Sequence, residues 1–94
     1  MTKSSRKGKK WMVKPLGIGG INRTIHFGAE SSSDFTIHHY EDRKERYIKR
    51  HQKRENWNDS TTAGFWARWM LWEKPSIAEA IANIKRRFGI RVIY

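Results

Sequence analysis

The feature that most restricts the fold of this chain is a sharply delimited amphipathic segment near its C-terminal end. Ser76 and Glu79 form an S-x-x-E pair, the signature of a reciprocal N-terminal capping box. Ile77, Ile81, Ile84 and Phe88 then recur at helical spacing, and Ala78, Ala80 and Ala82 leave room for close approach. Lys85, Arg86 and Arg87 fill the last turn, where cations suit the helix dipole, and Gly89 follows at the C′ position. A helix over 76–88 is thus predicted. A single apolar stripe of this length is not stable alone in water, so it must be buried on something. The block just before it supplies the partner. Phe65, Trp69 and Trp72 fall at i, i+4 and i+7, Trp66 and Met70 form a second row, and Thr61 or Thr62 can cap. This predicts a helix near 62–71. Two of Trp66, Trp69 and Trp72 are expected in the core, with the third left as an interface anchor.

Upstream, the period changes. Arg23, Ile25 and Phe27 alternate with Thr24 and His26, a half-buried strand pattern. Trp11-Met12-Val13 is the expected antiparallel partner, across a turn-rich stretch holding Gly17, Gly19 and Gly20 after Pro15. Phe35-Thr36-Ile37-His38 reads as a short strand or extended approach. A charge-dense helix near 41–54 follows, with Asp42–Arg46 and Glu45–Lys49 pairs at i,i+4. Its core-facing stripe would be Tyr40, Tyr47, Ile48 and His51. Ile90, Val92 and Tyr94 alternate as a terminal strand. The expected architecture is α+β: a small antiparallel sheet packed by about three helices, with a basic N-terminal arm. The Ile77/Ile81/Ile84/Phe88 face is expected to meet Phe65, Trp69, Tyr47 and Ile48. Ninety-four residues suit one small domain, divided into an arm at 1–14 and a single α+β domain at 15–94.

Charge narrows the function. Twenty Lys and Arg stand against 9 Asp and Glu, for a net charge of +11. Six of those cations (Lys3, Arg6, Lys7, Lys9, Lys10 and Lys14) lie in the first 14 residues, which hold no acid. With Ser4, Ser5 and Gly8 among them, the segment reads as a flexible basic arm seeking an anionic partner. If all six met duplex phosphates, log K would fall with log salt at a slope of roughly −5. An acidic protein surface would serve the same charge equally well. Arg68 and Lys74 sit among Trp66, Trp69 and Trp72, a composition that also suits base stacking in a basic groove, although core packing is the weightier reading of those rings. The candidate partner- or phosphate-binding residues are therefore the six arm cations with Arg68, Lys74, Trp66 and Trp72.

Other classes fall away. Cys is 0, which removes disulfides and thiolate chemistry. No apolar run reaches spanning length and no apolar h-region follows the basic N-terminus, so neither a membrane span nor a secretory signal is expected. His38-His39 and His51, with Asn56 or Asn58, do not fit the spacing of a ββα-metal nuclease. Gly17-Ile18-Gly19-Gly20 lacks the Lys-Ser/Thr of a phosphate loop. No enzyme activity, metal, cofactor or small-molecule substrate is expected.

The stretch from Ile25 to Gly89 resembles a family of short, basic, uncharacterised proteins of large nucleocytoplasmic DNA viruses. The resemblance is carried by His26-Phe27-Gly28, by Ser33-Asp34-Phe35-Thr36, and by Arg43-Lys44-x-Arg46-Tyr47-Ile48-x-Arg50-His51. It continues through Glu55-x-Trp57, Ile84-x-x-Arg87-Phe88-Gly89 and the block T-A-G-F-W-x-R-W-x-L-W-x-K-P-S that begins at Thr62. It implies a viral setting and carries no catalytic residues. In that setting the chain would be a structural or accessory component of a virus particle, a minor capsid or virion-associated protein. It would bind larger virion proteins of acidic surface through its arm and an exposed aromatic. Its place would be the virion, and the host cytoplasm or nucleus during assembly. The alternative is a nucleic-acid-binding protein that puts the arm on phosphates.

Overall fold

The computed structural model describes residues 1–14 and 24–94. Its architecture is α+β. Three strands, β1 (Thr2–Lys3), β2 (Lys9–Val13) and β3 (Ile25–Ala29), form an antiparallel sheet in that order. Four helices follow: α1 (Phe35–His38), α2 (Glu41–His51), α3 (Ala63–Trp66) and α4 (Ile77–Phe88). A π-wound turn, Ala67–Leu71, prolongs α3 directly. The expected turn at Gly17, Gly19 and Gly20, and Arg23 of the expected strand, lie outside the described residues.

The basic N-terminal segment departs from the expected arm: it supplies β1 and β2. The physical reason is alternation that the lysines obscure. Trp11 pairs with Phe27 and Val13 with Ile25, so one face of β2 adds to the apolar face of β3. Val13, Ile25 and Phe27 are all in the core. The antiparallel pairing expected between Trp11-Met12-Val13 and the Ile25–Phe27 strand is present in this register.

The core lies between this sheet face and α3 with its π-turn and α4. Phe65, Trp66, Met70, Leu71 and Ile84 are essentially inaccessible. Phe88 meets Phe65 and Trp69 edge-on, with centroids 4.8 and 5.3 Å apart, as the apolar stripe of α4 requires. Both ends of α4 are as expected. The Ser76 hydroxyl accepts from the Glu79 amide, and Gly89 closes the helix with φ 70, a conformation glycine adopts without penalty. Thr62, rather than Thr61, caps α3 by accepting from the Phe65 amide.

Three expectations are corrected. Phe35–His38 is a helical turn, because Asp34 caps it by accepting from the Thr36 amide. Helix α2 ends at His51, with the following residues in turns. Ile90 to Tyr94 form no strand, although the Met1 amino group donates to the Ile93 carbonyl and Tyr94 meets Trp11 edge-on.

Candidate anion-binding face

β1 and β2 are joined by a turn over residues 4–8 that presents Arg6 and Lys7 to solvent, flanked by exposed Lys3 and Lys9. Lys14 is also exposed. Lys10 is different. Its ammonium lies 2.6 Å from Asp34, whose carboxylate is almost fully buried and also holds the Thr36 amide. That pair ties the sheet to α1, and it spends Lys10 on structure.

Two acids of the folded part, Glu73 and Glu55, are similarly engaged, whereas Glu30, Glu41, Asp42, Glu45 and Glu79 are exposed. The Arg68 guanidinium lies 2.8 Å from Glu73, off the angle of a good hydrogen bond for that nitrogen, so the contact is chiefly an ion pair. Lys44 reaches Glu73 at 3.6 Å and donates to its backbone carbonyl. Burial pushes the Glu73 carboxyl up, but Arg68, Lys44 and Lys74 outweigh it and hold the group below its ordinary range. Glu55 accepts from the Trp57 indole and lies 3.7 Å from His51. The exposed Glu30 carboxylate accepts from the Gly8 amide in the hairpin turn, but Lys3, Arg6, Lys7 and Lys9 outnumber it, so the field on this side of the molecule is positive.

The same region holds a groove of about 390 Å³ at the Lys9–Ala29 end of the β2–β3 pair. One wall is the α2 stripe Arg43, Tyr47 and Arg50, which falls at i, i+4 and i+7. The opposite rim carries Lys9, Ser32 and Ser33. Among the described residues no carboxylate pairs with Lys9, Arg43 or Arg50, whereas the two acids that line the groove, Asp34 and Glu55, already have partners. Gly28 lets the backbone approach here. A Cβ at this position would lie 2.8 Å from the Leu71 side chain, and its φ of 79 disfavours any other residue.

Tyr47, His51 and Trp72 give the groove an aromatic lining. Tyr47 stacks on Trp72 at 4.5 Å and 5°, and on His51 at 4.4 Å. His38 lies 5.4 Å from Trp72 and stacks on Tyr40. Burial, and then Glu55, push the Tyr47 phenol strongly up, so it stays neutral. Tyr47 thus packs on Trp72 instead of on the α4 face, as had been expected for it.

The candidate residues therefore divide. Lys3, Arg6, Lys7, Lys9 and Lys14 are exposed, and Lys74 is half-buried. Arg68 and Trp66 are not available to a partner. Arg68 is 8% exposed, against Trp69 and Trp57 as well as Glu73. Trp66 is 1% exposed, its indole N–H donating to the Ser60 carbonyl. Trp72 is half-buried in the stack, and Trp69 is in the core with its N–H on the Trp57 carbonyl. The exposed aromatics are instead Tyr40 and Tyr94. Arg43, Arg50, Ser32 and Ser33 were not singled out from the sequence. The usable signal for the first two was their shared helical stripe with Tyr47. The expected core position of Tyr40 is also corrected, since it precedes α2 as its N-cap and is 59% exposed.

A larger cavity of about 620 Å³ is lined chiefly by apolar groups such as Val13, Ile90 and Val92, and it borders Lys14 and Thr24. Among the described residues no group of three or more His, Asp or Glu is placed to hold a metal ion. No helix among them is long and apolar enough to cross a membrane.

The model of a family of unknown function (DUF5754) matches residues 1–51, just over half of the chain. That span takes in the whole sheet, α1, α2 and the groove residues Lys9, Ser32, Ser33, Arg43 and Arg50. No curated protein and no solved structure matches.

Proposed function

The chain belongs to the family of unknown function DUF5754, and we propose that it is a non-enzymatic accessory component of a large DNA virus particle, attached to an anionic partner through its basic face. The viral setting rests on the resemblance carried by the His26-Phe27-Gly28 and Thr62–Ser76 blocks. The attachment rests on one observation: exposed Lys3, Arg6, Lys7 and Lys9 project from a hairpin, while nearby Lys10 and Asp34 neutralise each other. Cations held on a β-hairpin lose less freedom on binding than those on a flexible strap, so more of the attraction is retained as affinity. The partner in this reading is a larger virion protein with an acidic surface.

Charge reversal at the turn tests it. Deleting residues 1–14 would remove two strands and Val13 from the core, so point changes are the informative ones. The variant Arg6→Glu/Lys7→Glu is expected to fold as the parent does and to be lost from purified particles. Retention at the parent level would overturn attachment through the hairpin. A second reading, nucleic-acid binding through phosphates, is favoured by the groove, which is lined by two hydroxyl side chains and by three cations that have no acidic partner among the described residues.

A further inference from the structure

We infer that the groove between α2 and the Lys9–Ala29 end of the sheet seats backbone phosphates of a nucleic acid, by charge and without reading bases. The inference rests on the second reading above and names its site. Arg43 and Arg50 stand on one helical stripe along one wall, and Lys9 with the Ser32 and Ser33 hydroxyls forms the other rim. Guanidinium and hydroxyl donors are the groups that hold phosphate oxygens, and two guanidiniums with no carboxylate partner among the described residues present an unspent charge to the groove. Asp34 is offset by Lys10, whereas Glu55, held by the neutral Trp57 indole, keeps its charge and stands as one carboxylate against Lys9, Arg43 and Arg50, so the groove stays net positive.

Two observations choose the ligand. Lys9 belongs both to the groove rim and to the hairpin that carries Arg6 and Lys7, so the basic surface continues past the groove mouth. A ligand with repeating phosphates uses that continuation, whereas a single phosphorylated side chain does not. The aromatic lining then sets what is not read. Tyr47 is stacked by Trp72 and by His51, so its ring offers no open face to a base. Binding should accordingly be indifferent to sequence and steep in salt.

The test is binding of the full chain to labelled duplex DNA and to a single strand of the same length across a salt series. Arg43→Gln/Arg50→Gln is compared with Lys85→Gln/Arg91→Gln, which removes the same charge from exposed positions outside the groove. The groove pair is expected to weaken binding by about tenfold or more and to flatten the duplex salt slope by roughly 2. The control pair should change binding by less than about threefold. Ser32→Asp, at an exposed rim position, should weaken binding in the same direction without touching the core. Equal losses from both pairs would overturn the groove as the site and leave diffuse nucleic-acid attraction standing. No binding by the parent at physiological salt would overturn the nucleic-acid reading itself. Stronger binding of a phosphopeptide than of DNA would overturn the choice of ligand.

Discussion

At the scale of single residues, the cations of this chain do two kinds of work, and burial separates them. Lys10 and Arg68 are structural, while Lys3, Arg6, Lys7 and Lys9 face solvent. Arg68 is the clearest case. It is 8% exposed, ion-paired with Glu73 and set over the Trp57 and Trp69 rings at 5.1 and 4.4 Å. Removing one member of a buried pair leaves the other desolvated and costs about 3–5 kcal/mol. Glu73 keeps Lys44 at 3.6 Å, which lowers that cost. Arg68→Met, which preserves length, should therefore destabilise by roughly 2–3 kcal/mol in urea unfolding. A change below about 0.5 kcal/mol, the range of surface substitutions, would show that the pair is not structural. From the sequence, Arg68 looked like a member of a stacking groove because three tryptophans surround it. The partner that decides its role is Glu73, five residues on, beyond the spacing that helical pairing scans for.

At the scale of elements, the start of α2 carries an acid-sensitive contact. The Tyr40 amide, at the N-cap of α2, donates to His38 Nδ1 at 2.8 Å. That nitrogen must stay unprotonated, so the proton of the neutral ring sits on Nε2, which is buried without a partner among the described residues. Burial and the charges of Arg43 and His39 hold the His38 pKa below its ordinary 6.5, against the opposing pull of Asp34 and Asp42. The unfolded chain therefore takes up this proton first. The stabilisation is complete above pH 6.5 and is lost as pH falls through and below that value. Glu73, also lowered, adds a second loss that begins only below about its ordinary 4.5. Urea midpoints should fall between pH 7.5 and pH 5.5, and His38→Gln should flatten that step. An equal step in the variant would place its origin elsewhere.

The elements also differ in how far the sequence declared them. Helix α4 was legible from both ends because Ser76, Glu79 and Gly89 are local signals that act within one turn. α1 was missed because four residues give no period, although Asp34 ahead of Phe35 is a capping signal. β2 was half legible. Trp11-Met12-Val13 showed its pairing, but Lys9 and Lys10 extended a basic run that resembled a tail. What keeps Lys10 in the fold is Asp34, 24 residues away, and no local pattern reports a contact of that separation.

At the scale of the whole molecule, attachment to a partner depends on where the positive charge is held. The sheet that carries it lies within residues 1–51, the span shared with the family; α3 and its π-turn pack on β3, and α4 packs on the π-turn. The groove was not legible because it is built from the end of β2, the loop before α1 and one stripe of α2, which only tertiary packing brings together. The aromatic rows from Phe65 to Trp72 announced a core but not that Trp72, packed at its edge, would also stack on Tyr47. The central claim is that the basic N-terminal segment is a folded part of the sheet, so that its cations act from a fixed frame.

Amide hydrogen exchange of the free protein tests this most directly. The amides of Met12 and Val13, beside partners His26 and Ile25 in the β2–β3 pair, are followed against those of Phe65 and Ile84 in the core. The account expects the β2 set to be protected and to open with the core amides, as members of one cooperative unit. Exchange of Met12 and Val13 at the rate of an unstructured chain, with Phe65 and Ile84 still protected, would contradict it and return the segment to a flexible arm.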